Sequence, residues 1–172
     1  MTAMMRQIHK QTLTIVFVVQ AILATGFFAP AAHASGLVSL FVTNPLTGVA
    51  LDGMDPVSYF TETDPEAGRP DFEYDWSGVP WYFATAANRD VFMRSPEVYA
   101  PQFGGHGTMS LSRGYLSDGN PQIYLVIASR LYLFYSTANR DAFLLSPGPA
   151  IKDAGTHWAE LSKQLLARAT PQ

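Results

Sequence analysis

The 172-residue chain contains no cysteine. Disulfides, thiolate catalysis, iron–sulfur clusters and thiolate metal sites are therefore excluded, since each needs a cysteine sulfur. Charged residues are also scarce, at 15%, whereas hydrophobic residues make up 48%. This composition is typical of a chain that folds around a packed core and not of a disordered one. The length suits one domain with a terminal extension.

Long hydrophobic runs are absent except near the N-terminus. There, two basic residues precede an almost wholly apolar stretch, residues 13–28, and the small-residue sequence Ala32-His33-Ala34 follows. This order predicts a signal peptide over residues 1–34, cleaved after Ala34, and a periplasmic or secreted bacterial protein. The alternative is an uncleaved anchor, for which about 16 residues interrupted by Gln20 are short. We therefore expect no stable membrane insertion after cleavage.

Cleavage would leave residues 35–172, with 9 Lys and Arg against 14 Asp and Glu and a net charge of −5. An acidic protein is a poor partner for nucleic acid or anionic lipid, because like charges repel. A protein partner is compatible with this composition, and the sequence does not define an oligomeric state. Small exported domains often depend on disulfides. Because this chain has no cysteine, it must be stabilised by its core alone.

The first half of the predicted mature chain contains one hairpin followed by a helix. Aromatic and acidic residues alternate over residues 71–76, which is typical of a strand with one face in solvent. Ser77-Gly78 supplies a turn, and a second strand returns over residues 81–84. Thr85 then caps a helix that extends to about Arg94, where Ser-Pro ends it.

The second half has the same parts. A nearly continuous apolar run over residues 123–128 predicts a central strand buried on both faces, and residues 131–135 pair back with it. Ser136 caps a helix to about Leu145, and a last amphipathic helix is expected over residues 150–167.

The two halves repeat each other at an offset of 51 residues. The pattern Phe-x-Thr/Ser-x-Ala-Asn-Arg-Asp-x-Phe-x-x-Ser-Pro occurs at residues 83–96 and 134–147, with eight of 14 positions identical. The alternative is a coincidence of helix-capping chemistry. We predict an α+β fold of two β-hairpin–helix units around a small antiparallel sheet, plus a C-terminal helix. The expected core residues are Trp76, Trp81, Phe83, Phe92, Ile123, Leu125, Leu133, Phe134, Phe143 and Trp158.

Several segments, in order, resemble the exported YHS-domain family. They are residues 52–60 (DGMDPVSYF), 76–83 (WSGVPWYF), 88–92 (NRDVF) and 96–105 (PEVYAPQFGG). The resemblance implies a YHS-like domain over residues 49–168, between a lead-in segment (residues 35–48) and a C-terminal tail (residues 169–172). It also implies a non-catalytic binding or accessory module. The alternative is a structural or protein-interaction domain with a decayed ligand site.

Metal binding has been proposed for that family, largely around a cysteine that follows a Gly-Gly-x segment. Gly107 stands at this position here, so the metal site is not simply inherited. His106 and His157 are the remaining candidate ligands for a transition metal such as copper or zinc. Phe103, Gly104 and Gly105 complete the loop that would line the site, together with Gly107. The alternative interpretation makes His106 an ordinary polar loop residue and His157 a core or surface residue.

Other motifs are weaker. A metal site needs three or four ligands, and nothing in the spacing brings Asp55 or Met109 to the histidines. The glycine-rich loop could also present backbone N–H groups to an anion. The pairs Arg89-Asp90 and Arg140-Asp141 are interpreted as salt bridges that fix each helix to its hairpin. No nucleophile elbow or general acid/base pair is present in the sequence, which predicts a protein that is not an enzyme.

Overall fold

The computed structural model describes residues 40–169. The predicted signal peptide with its cleavage site, residues 35–39 of the lead-in segment and residues 170–172 of the tail lie outside this range. No helix within the described range is long and apolar enough to cross a membrane. In chain order, the elements are a 3-10 turn Leu51–Gly53, helix α1 Ser58–Thr61, strands β1 Arg69–Trp76 and β2 Val79–Phe83, helices α2 Ala86–Arg94 and α3 Pro96–Tyr99, a 3-10 turn Gln102–Gly105, helix α4 Thr108–Ser112, strands β3 Asn120–Ile127 and β4 Arg130–Phe134, and helices α5 Thr137–Leu144 and α6 Pro147–Ala169.

The predicted α+β class is confirmed, as are the two hairpin–helix units and the C-terminal helix. The strands form two sheets rather than the one small sheet that we expected. Among the described strands, β1 pairs only with β2, and β3 only with β4, both antiparallel. Each hairpin therefore packs its own helix, and the two halves meet through side chains and loops instead of a shared ladder.

The two hairpins have the same register at the predicted offset. Arg69 pairs with Phe83 in the first hairpin. Asn120 pairs with Phe134 in the second, 51 residues later, and an irregularity follows this pair in both ladders. Both two-residue turns place both residues at positive φ, which is the type I′ geometry that suits the twist of a hairpin. The second turn, Ala128-Ser129, adopts it without glycine, at φ 49° and 57°.

The helices that follow the hairpins are also built alike. The Thr85 hydroxyl accepts a 3.1 Å hydrogen bond from the backbone N–H of Asn88, and Ser136 accepts the equivalent 3.2 Å bond from Asn139. The rings of Phe83 and Phe92 lie 5.1 Å apart, and those of Phe134 and Phe143, 51 residues on, lie 5.0 Å apart. The internal repeat is thus present in three dimensions.

The repeat extends into the loops before each first strand. Met54 forms an isolated antiparallel bridge with Ala67, and His106 forms the matching bridge with Asp118. His106 therefore corresponds to Met54, at an offset of 52, because the second loop is one residue shorter. His157 lies in α6, the C-terminal helix, which follows the two repeated hairpin–helix units. The shared offset of the two histidines has no structural basis.

Strand β4, and not β3, is buried on both faces, so the prediction for residues 123–128 is wrong. β3 is half-buried, and Val126 is 37% exposed. In β4, Leu131 and Leu133 pack into one hydrophobic cluster, while Tyr132 and Phe134 pack into another. Because successive side chains of a strand point to opposite faces, β4 separates the two clusters and contributes to both.

The core includes most of the expected residues. Trp81, Phe83, Phe92, Leu133, Phe134 and Phe143 are each at most 1% exposed. Trp76, Ile123, Leu125 and Trp158 are half-buried at the margins of the core. Leu111, Leu131 and Val57 are also buried, although the sequence did not single them out.

Helix α6 begins at Pro147, earlier than expected, and packs mainly on α4. Ala150 and Ala154 form its most buried positions. The paired Arg-Asp residues do not fix helices to hairpins. In each pair the guanidinium contacts the adjacent aspartate on the same helix at 3.4 Å, and the aspartates are largely exposed.

Candidate functional site

In the glycine-rich loop, the backbone of Gly104 approaches the backbone of residues 40–42 closely. Phe103, Gly104 and Gly105 have positive φ values of 56°, 63° and 83°. A Cβ on Gly104 would overlap the carbonyl oxygen of Leu40, and the N–H of Val42 donates to the Gly104 carbonyl at 2.8 Å. Glycine is needed there so that the segment at residues 40–42 can pack on the loop. This loop was predicted to line a ligand site, and Gly104 instead contacts the chain itself.

His106 is nine-tenths buried, with 9% exposure. Its ring packs against that of Trp158 in α6, with 5.4 Å between the centroids and a 46° angle between the ring planes. Its Nδ1 has no hydrogen-bond partner in the described part of the chain and lies 3.9 Å from Oδ1 of Asp118. Burial lowers the pKa of His106 below its ordinary value, although Asp118 and the Ser117 backbone act in the opposite direction. The imidazole is therefore neutral near pH 7.

His157 makes different contacts. Its Nδ1 lies 2.8 Å from the carbonyl oxygen of Leu111 in α4. A carbonyl oxygen only accepts, so Nδ1 carries a proton and donates it to Leu111. Nε2 is directed towards Gly114, 3.6 Å from where a Cβ of that residue would lie. His157 thus ties α6 to α4.

The predicted metal site gains no support from this geometry. Among residues 40–169, no three His, Asp or Glu side chains are close enough to hold a metal ion. The other conceivable ligands have partners as well: Met109 sulfur accepts from the Ser112 hydroxyl at 3.4 Å. A transition-metal site requires three or four ligands, and the described residues do not provide them.

Asp55 has a tertiary role that the sequence interpretation missed. Its side chain is fully buried, and Oδ1 accepts from the N–H of Val57 at 2.8 Å. Its Oδ2 accepts from the N–H of Ala84 at 2.8 Å and from Nδ2 of Asn88 at 2.6 Å. Asp55 therefore starts the turn before α1 and also joins that turn to the end of β2 and to α2. The asparagine repeated at residue 139 was the available signal.

Gly107 takes the place of Asp55 in the second half. The N–H of Asp55 donates to Glu66 at 2.8 Å, and that of Gly107 donates to Ser117 at 2.8 Å. A Cβ on Gly107 would lie 2.8 Å from the Ser117 hydroxyl and 3.4 Å from that of Ser110. These two hydroxyls, hydrogen-bonded to each other at 2.7 Å, fill the space that a longer side chain would enter. A Cβ at this position, as in cysteine, would require the Ser117 hydroxyl to shift.

A small cleft lies where equivalent parts of the two halves meet. Its volume is about 160 Å³. Leu51 and Asp52, from the first 3-10 turn, form one part of its lining, and Gly105, from the second, forms another. Gly119 donates to the Gly105 carbonyl at 3.0 Å, just as Gly68 donates to Gly53 at 2.8 Å in the first half. The cleft is therefore a product of the repeat.

The cleft combines an apolar interior with an acidic opening. Leu51 and Leu133 contribute buried apolar surface. Asp52 and Asp118 are the charged residues of the lining, and both are exposed to solvent. Thr43 adds a hydroxyl. Asp52 has φ 52°, and its carboxylate accepts a 3.2 Å hydrogen bond from the Asn44 side chain. Of the predicted loop residues, Gly105 alone lines this cleft.

No protein-family model, no curated protein and no solved structure matches the chain. The resemblance to the YHS-domain family stays a prediction, based on the order and spacing of its segments.

Proposed function

We propose that this protein is an exported, non-catalytic binding module of the YHS-like type, and that the cleft between its two halves is the ligand site. The observation that supports the proposal is the cleft itself, which joins buried leucine side chains to two exposed carboxylates. Ligand sites in proteins are typically concave and mostly apolar, with a few polar groups that orient the ligand. The proposed location in the periplasm or medium is based on the signal peptide predicted over residues 1–34.

The side chains around the cleft suit binding better than chemistry. Its lining includes no histidine, lysine, arginine, serine or tyrosine, and its polar side chains are those of Thr43, Asp52 and Asp118. The hydroxyl of Thr43 and the two carboxylates can orient a ligand by hydrogen bonds and charge. Their arrangement favours an accessory or carrier role over turnover.

A fragment screen by ¹H–¹⁵N NMR tests the proposal. The protein is expressed from its full-length sequence in a bacterial host, so that any processing occurs, and is screened with neutral, anionic and cationic fragments, zinc and copper. We expect fragment binding to shift the amide signals of Gly105 and Gly119. Thr43→Phe, which narrows the cleft, should abolish these shifts, whereas the nearly isosteric Thr43→Val should retain them. Shifts that survive Thr43→Phe, or metal-induced shifts around His106 and His157, would overturn the proposed site.

A protein-interaction role is the second candidate, because two adjacent leucines at the end of α5 face solvent. Leu144 is 52% exposed and Leu145 is 87% exposed. Contiguous exposed apolar surface is typical of association sites. The first half has Arg94 at the position of Leu145, so Leu145→Arg is a matched change. If this surface binds a second copy, light scattering will show a dimer that Leu145→Arg dissociates; a monomer in both proteins rejects self-association.

A further inference from the structure

The two carboxylates at the cleft have no lysine or arginine partner among residues 40–169. Asp52 accepts a hydrogen bond from the neutral amide of Asn44, and neither Asp52 nor Asp118 forms an ion pair with a described lysine or arginine. Asp52 belongs to the turn Leu51–Gly53, and Asp118 precedes β3, so the two carboxylates approach the cleft from different halves. Like charges at one opening attract a cation more strongly than either charge alone.

His106 is the histidine next to Asp118, but its imidazole does not neutralise the negative charge of the Asp118 carboxylate. The ring is nine-tenths buried, its Nδ1 has no hydrogen-bond partner, and Nδ1 faces the Asp118 carboxylate at 3.9 Å. A buried imidazole favours the neutral form, which leaves the negative charge of Asp118 uncompensated. A buried polar atom without a partner is uncommon in a folded protein. Here that atom lies 3.9 Å from Asp118 Oδ1, beyond hydrogen-bond distance, so the Asp118 carboxylate stays available to a ligand in the cleft.

The interior of the cleft limits the size and polarity of that ligand. Leu51 and Leu133 are 4% and 1% exposed, and the apolar side chains of Val42 and Pro121 adjoin them. The volume of about 160 Å³ is close to that of a cavity of about 150 Å³ that accommodates benzene. A ligand of about six non-hydrogen atoms therefore fits. A bare metal ion does not suit the cleft, because no three ligating side chains come together in the described range.

We propose that the cleft binds a small organic cation: a primary ammonium group held by Asp52 and Asp118, with a short alkyl chain against Leu51 and Leu133. This inference depends on the proposed function, since it names the ligand class of the same cleft. The ammonium group satisfies the carboxylates by charge-assisted hydrogen bonds, and the chain removes apolar surface from water.

The test compares three probes of equal chain length: butylammonium, 1-butanol and butanoate. Each is titrated at constant ionic strength into the protein expressed from its full-length sequence, and the amide signals of Gly105 and Gly119 are followed by NMR. We expect butylammonium to bind with a dissociation constant of about 1 mM, as small fragments do, and at least about tenfold more tightly than the other two.

Three variants locate the charge. Asp52→Asn and Asp118→Asn should each weaken butylammonium binding at least about fivefold, because each removes one charge from the opening. Asparagine tolerates the positive φ of residue 52, so folding should be retained. Asp75→Asn, on the exposed face of β1, removes the same charge elsewhere and should leave the affinity unchanged.

The outcomes separate this inference from the proposed function. If 1-butanol or butanoate shifts the Gly105 and Gly119 signals as strongly as butylammonium, the cleft is a ligand site and the cationic class is wrong. If Asp75→Asn weakens binding as much as Asp118→Asn, the amine associates with net charge and the inference fails. If no probe shifts the signals of the cleft, both the inference and the proposed site fail.

Discussion

Asp55 and Gly107 occupy the same position in the two halves of the molecule, and the structure stabilises that position in two different ways. In the first half, one buried carboxylate accepts three hydrogen bonds. In the second, the hydroxyls of Ser110 and Ser117 fill the corresponding space and bond to each other at 2.7 Å. The two halves thus share a backbone conformation at this position but use different polar side chains there. This difference leads to two predictions.

Replacement of Asp55 should destabilise the fold strongly. Asp55→Ala removes the acceptor for the N–H groups of Val57 and Ala84 and for the Asn88 amide, all close to a fully buried position. Buried donors without an acceptor are costly, and we expect a loss of about 3–5 kcal/mol in the free energy of unfolding. Urea denaturation measures it. Asp75→Ala, at an exposed strand position, should change stability by less than about 0.5 kcal/mol. Equal effects of the two substitutions would contradict the role assigned to Asp55.

A larger residue at position 107 should be disfavoured by lack of space and not by the backbone conformation. The Gly107 φ of −62° is accessible to any residue, but a Cβ would lie 2.8 Å from the Ser117 hydroxyl. Gly107→Ala should therefore cost about 1–2 kcal/mol, and Ser117→Ala should relieve about half of that cost in a double-mutant cycle. Gly148→Ala is the matched control, because nothing lies within 4 Å of a Cβ there. Additive effects of the Gly107 and Ser117 substitutions would show that the two side chains do not compete for this space.

Local patterns in the sequence predicted the local structure well. Alternation over residues 71–76 and the hydroxyl caps Thr85 and Ser136 each depend on interactions within a few residues, and the structure confirms them. The burial of β3 was overestimated because an apolar run does not specify which strand lies between two cores. That strand is β4, whose alternate residues enter both hydrophobic clusters.

The candidate site was the least predictable part. Asp55 bonds to Ala84 and Asn88, which are 29 and 33 residues away, so no short motif contains the interaction. The cleft is assembled from turns of both halves, and Asp52 and Asp118 become neighbours of one cavity only after the repeat folds. The sequence analysis identified Gly105 as a loop residue. The residues that form the cleft with it, such as Leu51 and Asp52, are distant in the chain.

The titration of His106 should make stability depend on pH. Because burial lowers its pKa below the ordinary 6.5, the unfolded chain binds a proton more readily than the folded protein does. Stability should therefore fall as the pH decreases from about 6.5 towards the lowered pKa, and level off below it. Urea denaturation between about pH 7.5 and 5.5 measures this slope.

Two variants assign that slope. His106→Phe keeps an aromatic ring against Trp158 but cannot bind a proton, so it should flatten the dependence. His157→Gln removes the other histidine of residues 35–172 and should leave the dependence on pH in place, even though it loses the bond to Leu111. An unchanged slope in His106→Phe would mean that other groups produce it.

The predicted signal peptide, residues 1–34, should be removed during export. Signal peptidases require small residues at the positions that Ala32 and Ala34 occupy, so we expect a periplasmic or secreted product whose mass matches residues 35–172. Mass spectrometry of the fractionated host measures it. Ala34→Phe should block cleavage and leave an uncleaved precursor in the membrane fraction, whereas Ser35→Ala, one residue further on, should be processed normally. A full-length wild-type protein in the membrane fraction would instead support the anchor interpretation of residues 13–28, and would place the cleft on a membrane-tethered domain.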